Sequence, residues 1–324
     1  MICIKTRYFN FNRILLLAVG LWPYQRTKLI RFQIILFFSI LTSFIIFQLT
    51  AFITTECTPE FIIKVFSTAM FFSIYVIKYN SFWMNARNIK YLLEQLQDTC
   101  NQLKDKNEIA IMEKYGNNVK YFTTIWTGTL LIGYIICACG MFKIARYRIK
   151  QAMSTKAFEN INVKNQTMIY KEIIDAVKIH RKAIRFCEFL TSTFNGYFFL
   201  LIIIGVISLS LNIYVIFQNL SFGDKEAFLV HFLFAYVILL YMFITNYAGQ
   251  EITNHNNHIY STAYNNRWYN APLHAQKLTL FILLRGSKAC NLNIGGIIVA
   301  SLECFATLTK TSMSYFTVMY SMQQ

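Results

Sequence analysis

The sequence predicts an all-α, polytopic membrane helix bundle, and three observations predict it. Over 324 residues the chain is 56% hydrophobic and 17% aromatic, with 30 Phe and 20 Tyr, more than a soluble core of this length uses. Only 3 Pro interrupt it. Six apolar runs reach the roughly 20 residues that a helix needs to cross a bilayer, and Lys and Arg cluster beside these runs.

Taken in order, Arg13 and the apolar run 14–22 imitate a secretory leader. The run is short, and Trp22-Pro23 with Arg26, Lys28 and Arg31 follows at once. A segment dipping into the membrane from the cytoplasmic side is expected instead. Charge-free spans are expected at 32–53, 121–142 and 189–217. A span at 61–79 holds Lys64 and Lys78 near its ends, where both can snorkel. A span at 228–247 holds only His231, and 292–320 completes the six. Ile89, Leu92, Leu93, Leu96, Cys100 and Leu103 recur every three or four positions, so an amphipathic helix extends into the cell. Segment 248–290 is rich in Asn and His and ends in an apolar run at 278–284, too short to cross and suited to docking. The expected organisation is therefore a membrane part over 1–247, a cytoplasmic segment over 248–290 and a terminal helix in 291–324.

Orientation follows from the basic residues. Lys5, Arg7, Arg13, Arg26, Lys28 and Arg31 precede the first span, which puts the N-terminus inside. Loop 54–60 holds no Lys or Arg and belongs outside; loop 80–120 is basic and belongs inside. With six spans, loop 143–188 falls outside, yet it carries eleven Lys/Arg, His180-Arg181-Lys182 and Arg185 among them. A helix absent between Phe142 and Phe189 resolves this conflict, so one span and its outer loop are expected to be missing. Asn219-Leu220-Ser221 and Asn165-Gln166-Thr167 match the glycan acceptor pattern, which is common by chance.

The net charge of +16 fits membrane orientation better than nucleic acid, since no basic–aromatic surface module is present. The 8 Cys are scattered, and Cys137 and Cys139 face different sides of one helix. His255 and His258 stand among Asn residues, without a metal or catalytic pattern. No phosphate loop, nucleophile elbow or paired-carboxylate constellation is found, so neither an enzyme nor a cofactor is expected.

The last helix carries the most information. Thr307, Thr311, Ser314, Val318 and Ser321 recur four, three, four and three residues apart and share one face. Hydroxyls can solvate a passing ion, and an apolar step can shut the path by excluding water. The same small polar residues also serve packed helix interfaces. Glu303 and Lys310 are seven apart, two turns along roughly the same face. A site for a small apolar ligand is expected to rest on aromatic contact area. Phe66, Met70, Phe71, Tyr134 and Met141, in the outer halves of the second and third spans, are the candidates.

The chain resembles the insect odorant receptors, of the wasp, bee and ant type. The carrying residues are Gly249-Gln250-Glu251-Ile252, Tyr264, Trp268-Tyr269, Pro272, Gln276-Lys277, Leu284-Arg285, Gly295-Gly296, Ser301-Leu302-Glu303 and the run Lys310 to Val318, with Leu21-Trp22-Pro23 near the start. The resemblance implies seven helices with the N-terminus inside and the C-terminus outside. It implies a tetrameric cation channel gated by volatile apolar ligands, with a tuned subunit assembled beside a shared co-receptor (Orco). The setting it implies is the plasma membrane of olfactory neuron dendrites. The seventh helix would line the pore, with Val318 at the apolar constriction and Ser321 where relatives carry Gln. Trp268 and Tyr269 would belong to the anchor that holds subunits together. Ala289 stands where relatives have Pro, and the missing span would be helix four. A gustatory receptor of the same superfamily is the nearest alternative. A G-protein-coupled receptor is a second, suggested by Ala145-Arg146-Tyr147, but it would need Asn-Pro-x-x-Tyr in the last span and the inverse orientation. A transporter would show internal repeats, and none is found.

Overall fold

The computed structural model describes residues 9–24, 27–54, 58–125, 130–153, 163–222, 224–266, 268–288 and 290–322. Lys5, Arg7, Arg26 and Ala289 lie outside the described residues. Ten α-helices follow one another among them: α1 Asn10–Ala18, α2 Lys28–Thr54, α3 Pro59–Met84, α4 Ala86–Gln102, α5 Lys106–Ile125, α6 Leu130–Ala152, α7 Val163–Phe222, α8 Lys225–Asn265, α9 Leu273–Gly286 and α10 Leu302–Ser321. A 3-10 turn, Trp268–Asn270, precedes α9, and two short strands, β1 Asn293–Ile294 and β2 Ile298–Val299, precede α10.

Local chemistry sets the element ends. Thr58 caps α3, accepting the Phe61 N–H, with Pro59 in the first turn where its missing donor costs nothing. Asn85 closes α3, its side-chain amide donating to the Ser81 carbonyl at 2.9 Å, and α4 starts at the next residue. β1 and β2 pair antiparallel, Asn293 with Val299 and Ile294 with Ile298. The turn between them is Gly295-Gly296-Ile297, with φ of +65° and +73° at the two glycines. Two successive left-handed residues make the tight hairpin turn that glycine alone adopts without strain.

The chain divides into two compact units. Unit one comprises residues 1–15, 90–192 and 248–292 and holds most of the 31 Lys and Arg. The amphipathic stripe read from the sequence is its first layer, with Leu92, Leu93, Leu96, Cys100 and Leu103 all buried. Helices α5 and α6 run antiparallel at close range. A Cβ on Gly133 would stand 3.1 Å from Val119, and one on Gly140 would stand 3.3 Å from Met112 and Tyr115. The N-terminal part of α7 packs antiparallel to α6, with Phe142 edge-on to His180 and Tyr134 to Phe186. The C-terminal part of α8 joins through His180 Nε2 and Asn256 Oδ1 at 3.1 Å, and through Arg146 donating to Thr262 at 2.8 Å.

This arrangement corrects the third expected span. The run 121–142 is not one helix: α5 ends at Ile125 and α6 begins at Leu130. α6 is long and apolar enough to cross a membrane, but 72% of its apolar window is buried inside the protein. Its partner α5 carries Lys106, Glu108, Glu113, Lys114 and Lys120. Hydropathy alone does not separate a lipid-facing helix from one hydrophobic all round because it is buried.

Unit two comprises residues 16–89, 193–247 and 293–324. It holds α2, α3, the C-terminal part of α7, the N-terminal part of α8, the hairpin and α10. Its core is Phe71 and Ile74 of α3, Val206 and Leu209 of α7, and Ala235, Ile238 and Met242 of α8, with Phe305 and Leu308 of α10 packed against it. Phe71 and Phe234 stack at 4.0 Å. α2 is the outlier: none of its apolar window is buried, and Phe32, Ile35, Ile46, Phe47 and Ile53 are exposed. Such a surface suits hydrocarbon, where helices associate by packing rather than by water exclusion.

The last expected span is also shorter than read. Residues 292–301 form the hairpin and a cap rather than helix, because Gly295-Gly296 turns the chain. α10 is not among the five helices whose composition alone fits a membrane span; Glu303, Lys310 and its many hydroxyls lower its hydropathy.

Candidate pore face and ligand wall

α10 is held at its start and packed along one side. The Ser301 N–H donates to Asn246 Oδ1 at 3.2 Å, and Ser301 Oγ accepts the Cys304 N–H at 3.1 Å. The preceding hairpin is seated on α7: the Gly295 N–H donates to Asn195 Oδ1 at 2.6 Å, and a Cβ at Gly295 would stand 2.7 Å from the Phe199 ring. Phe305, Leu308, Ser312, Phe316 and Met319 turn inward, with Phe316 against Tyr214, Val215 and Phe217.

The five predicted stripe residues occupy the opposite side. Thr307, Ser314, Val318 and Ser321 are exposed and Thr311 is half-buried; Val318 is 55% exposed. The hydroxyls share one bonding habit. Thr307 donates to the Glu303 carbonyl at 3.0 Å, Thr311 to Thr307 at 2.9 Å, Ser314 to Lys310 at 3.1 Å and Ser321 to Val318 at 2.9 Å. Each proton is spent on the helix's own backbone, so each oxygen presents lone pairs outward. That surface can accept from water or solvate a cation. Glu303 and Lys310 flank it, both exposed.

The five candidate ligand residues are divided between the two units. Phe66, Met70 and Phe71 lie on α3 in unit two, with Phe71 in the core and Phe66 exposed. Tyr134 and Met141 are fully buried on α6 in unit one, where Tyr134 packs against Phe9 and Phe186. The α6 pair therefore serves the interior of the α5–α6–α7 packing. Sequence reasoning missed the polar group that lies beside Phe71. His231 Nδ1 is 2.8 Å from Asn212 Oδ1 and 3.4 Å from Ser67 Oγ, and all three side chains are buried. A lone His in a span and an Asn in a charge-free run were the only signals.

Trp268 and Tyr269 form the 3-10 turn before α9, and Tyr269 is 62% exposed. Gln276 holds the turn by donating to the Tyr269 and Ala271 carbonyls, both at 2.8 Å. Ala275, Thr279, Ile282 and Gly286 form the buried side of α9; Leu273, Leu280, Phe281 and Leu284 are exposed on the other.

A profile of the 7tm Odorant receptor family matches residues 108–313, well over half of the sequence. The chain belongs to that family. It is a multi-pass membrane receptor of olfaction, not an enzyme. In three dimensions the receptor is similar to the insect olfactory receptor OR5 from Machilis hrabei. The TM-score is 0.71 at 12% identity, over 97% of this chain and 98% of that one. OR5 in complex with eugenol gives a TM-score of 0.67 at 12% identity, over 98% and 99%. At this identity the likeness shows the fold, and the all-α membrane bundle is that fold.

Proposed function

We propose that the receptor is the odorant-tuned subunit of a ligand-gated cation channel, assembled with the co-receptor Orco into a heterotetramer in the plasma membrane of olfactory dendrites. The observation that carries this reading is the two-sidedness of α10. One side is packed into the subunit, and the other offers outward-facing oxygens over two turns and then the apolar Val318. A subunit that met only lipid along this side would leave polar oxygens and two charges facing hydrocarbon, which is costly. Around a shared axis the same side becomes the wall of a water-filled path. Trp268, Tyr269 and the exposed apolar side of α9 supply contact area for neighbouring subunits. A volatile apolar ligand binds among the outer halves of α3 and α8, near Phe66, Met70 and Phe71, and biases the α10 bundle toward its open state.

Orientation supports the same reading. α5 and α6 run antiparallel, so the chain returns to the side it left, and the basic segment 143–188 lies inside as the positive-inside rule requires. α2, α3, α7, α8 and α10 then make an odd number of crossings, with the N-terminus inside and the C-terminus outside. The expected shortfall relative to a seven-helix receptor, read from the sequence between Phe142 and Phe189, is in this reading assigned to the stretch between α5 and α6. Sequencing the transcript across codons 120–135 tests this; an uninterrupted coding exon through that junction refutes a splicing loss.

The decisive experiment is whole-cell recording from cells co-expressing the receptor and Orco. Val318→Ser is expected to raise baseline current by wetting the constriction. Unchanged baseline and evoked currents, with normal surface expression, remove Val318 from the gate.

A further inference from the structure

The His231–Asn212–Ser67 group fixes the direction of a hydrogen bond inside unit two. Asn212 Nδ2 donates to the Ser208 carbonyl at 2.7 Å, which sets the amide so that Oδ1 faces His231. Ser67 Oγ donates to the Lys64 carbonyl at 2.8 Å, so its oxygen also faces the imidazole as an acceptor. Two acceptors on one side require the proton on Nδ1. In the neutral ring Nε2 is then a bare acceptor, and it has no hydrogen-bond partner among the described residues. The residues are at similar depth: Ser67 is two turns into α3, His231 two turns into α8 and Asn212 three turns from the end of α7. Phe234 stands edge-on to the imidazole at 5.8 Å and stacks on Phe71 at 4.0 Å, an aromatic wall beside a polar point.

We infer that His231 Nε2 is the polar anchor of the odorant site and selects volatiles that carry a hydroxyl donor, such as primary alcohols or phenols. Ethers, esters, aldehydes and alkanes of the same shape have no proton to give and leave the acceptor unmet. Rejection of an analogue that lacks the matching group is the strong form of small-molecule selectivity. Ser67 and Asn212 act as positioning residues that hold the tautomer. This inference rests on the ligand-gated channel reading.

The test compares dose–response curves for the C4–C10 primary alcohols, their methyl ethers and the matching alkanes, in cells expressing the receptor with Orco. At least one alcohol is expected to act at a concentration about tenfold below its ether, the scale of one buried hydrogen bond. His231→Phe should bring that ratio to about one, and surface biotinylation in parallel reports how much of the variant reaches the membrane. Asn212→Leu should shrink the ratio without changing the ether response, because it frees the tautomer and leaves the wall intact. A channel with baseline current that answers no alcohol, or answers ethers and alkanes equally, overturns the hydroxyl selectivity and leaves the channel reading standing. Surface-expressed receptor with neither baseline nor evoked current overturns the channel reading and this inference with it.

Discussion

Arg148 grips Glu108 with two prongs across the α5–α6 pair, Nε to Oε1 at 2.5 Å and Nη2 to Oε2 at 2.8 Å. A third donor, Nη1, reaches the Asp175 carbonyl of α7 at 3.0 Å. One guanidinium thus ties three helices of unit one, with the Glu108 side chain only 6% exposed.

Removing one member of this pair strands the other. Arg148→Met is expected to cost about 3 kcal/mol, the lower end of the range for a broken buried pair, because the guanidinium is partly exposed. Fluorescence-detected size-exclusion after heating reads it as a lower melting temperature. Arg148→Lys should recover only part, since an ammonium cannot make the forked contact. If Arg148→Met melts like the parent, the pair contributes nothing net.

The hairpin before α10 separates two costs at adjacent residues. Gly296→Ala meets open space and pays only for its φ of +73°, about 1 kcal/mol. Gly295→Ala pays the same and also drives a methyl into Phe199. It should lower surface expression far more, and Phe199→Leu in the same chain should restore part of the difference. Surface biotinylation reads both. Equal losses at the two glycines would mean that the Phe199 contact is unimportant.

The two sides of α10 should respond differently to the loss of a hydroxyl. Thr311→Val removes an outward oxygen and is expected to reduce single-channel conductance with little change in stability. Ser312→Ala lies on the packed side, where the hydroxyl donates to the Leu308 carbonyl at 3.0 Å. It should leave conductance alone and change stability by no more than about 1 kcal/mol. Reversal of these outcomes would place the ion path elsewhere.

Alkaline pH should weaken unit one. Burial pushes the Cys100 thiol up to about 12, against an ordinary value of 9.0, and the Tyr115 phenol up to about 12 from 10.0. The folded state therefore keeps protons that the unfolded chain releases, so stability is fully present below about pH 9 and falls as pH rises toward 12. Tyr115 Oη also sits 2.6 Å from His255 Nε2, a contact that orients it against α8. Melting temperatures at pH 8 and 10.5 should diverge, and Cys100→Ala should narrow the gap. A gap of the same size in Cys100→Ala excludes that thiol as a source.

Residues that act through helical period were readable in the sequence. The stripe from Thr307 to Ser321 needs only the 3.6-residue repeat, and the structure places it on the side of α10 away from Phe305, Leu308 and Phe316. The α4 stripe was readable for the same reason. Residues that depend on tertiary partners were not. Tyr134 and Met141 carry the same apolar signal whether a helix meets lipid or protein, and only the antiparallel approach of α5 decides between them. Asn212 gives no sign of its tie to His231, because the bond spans two helices.

The Gly295-Gly296 corner divides this receptor by mutational tolerance. On the proposed reading of the odorant site, the aromatic wall of Phe71 and Phe234 can be exchanged for other apolar shapes, so drift there is expected to retune which volatile is detected. The corner admits no such trade: any side chain at Gly295 must both adopt a strained backbone and displace Phe199. A lineage that diversifies its odorant repertoire is expected to vary the former freely and leave the latter untouched.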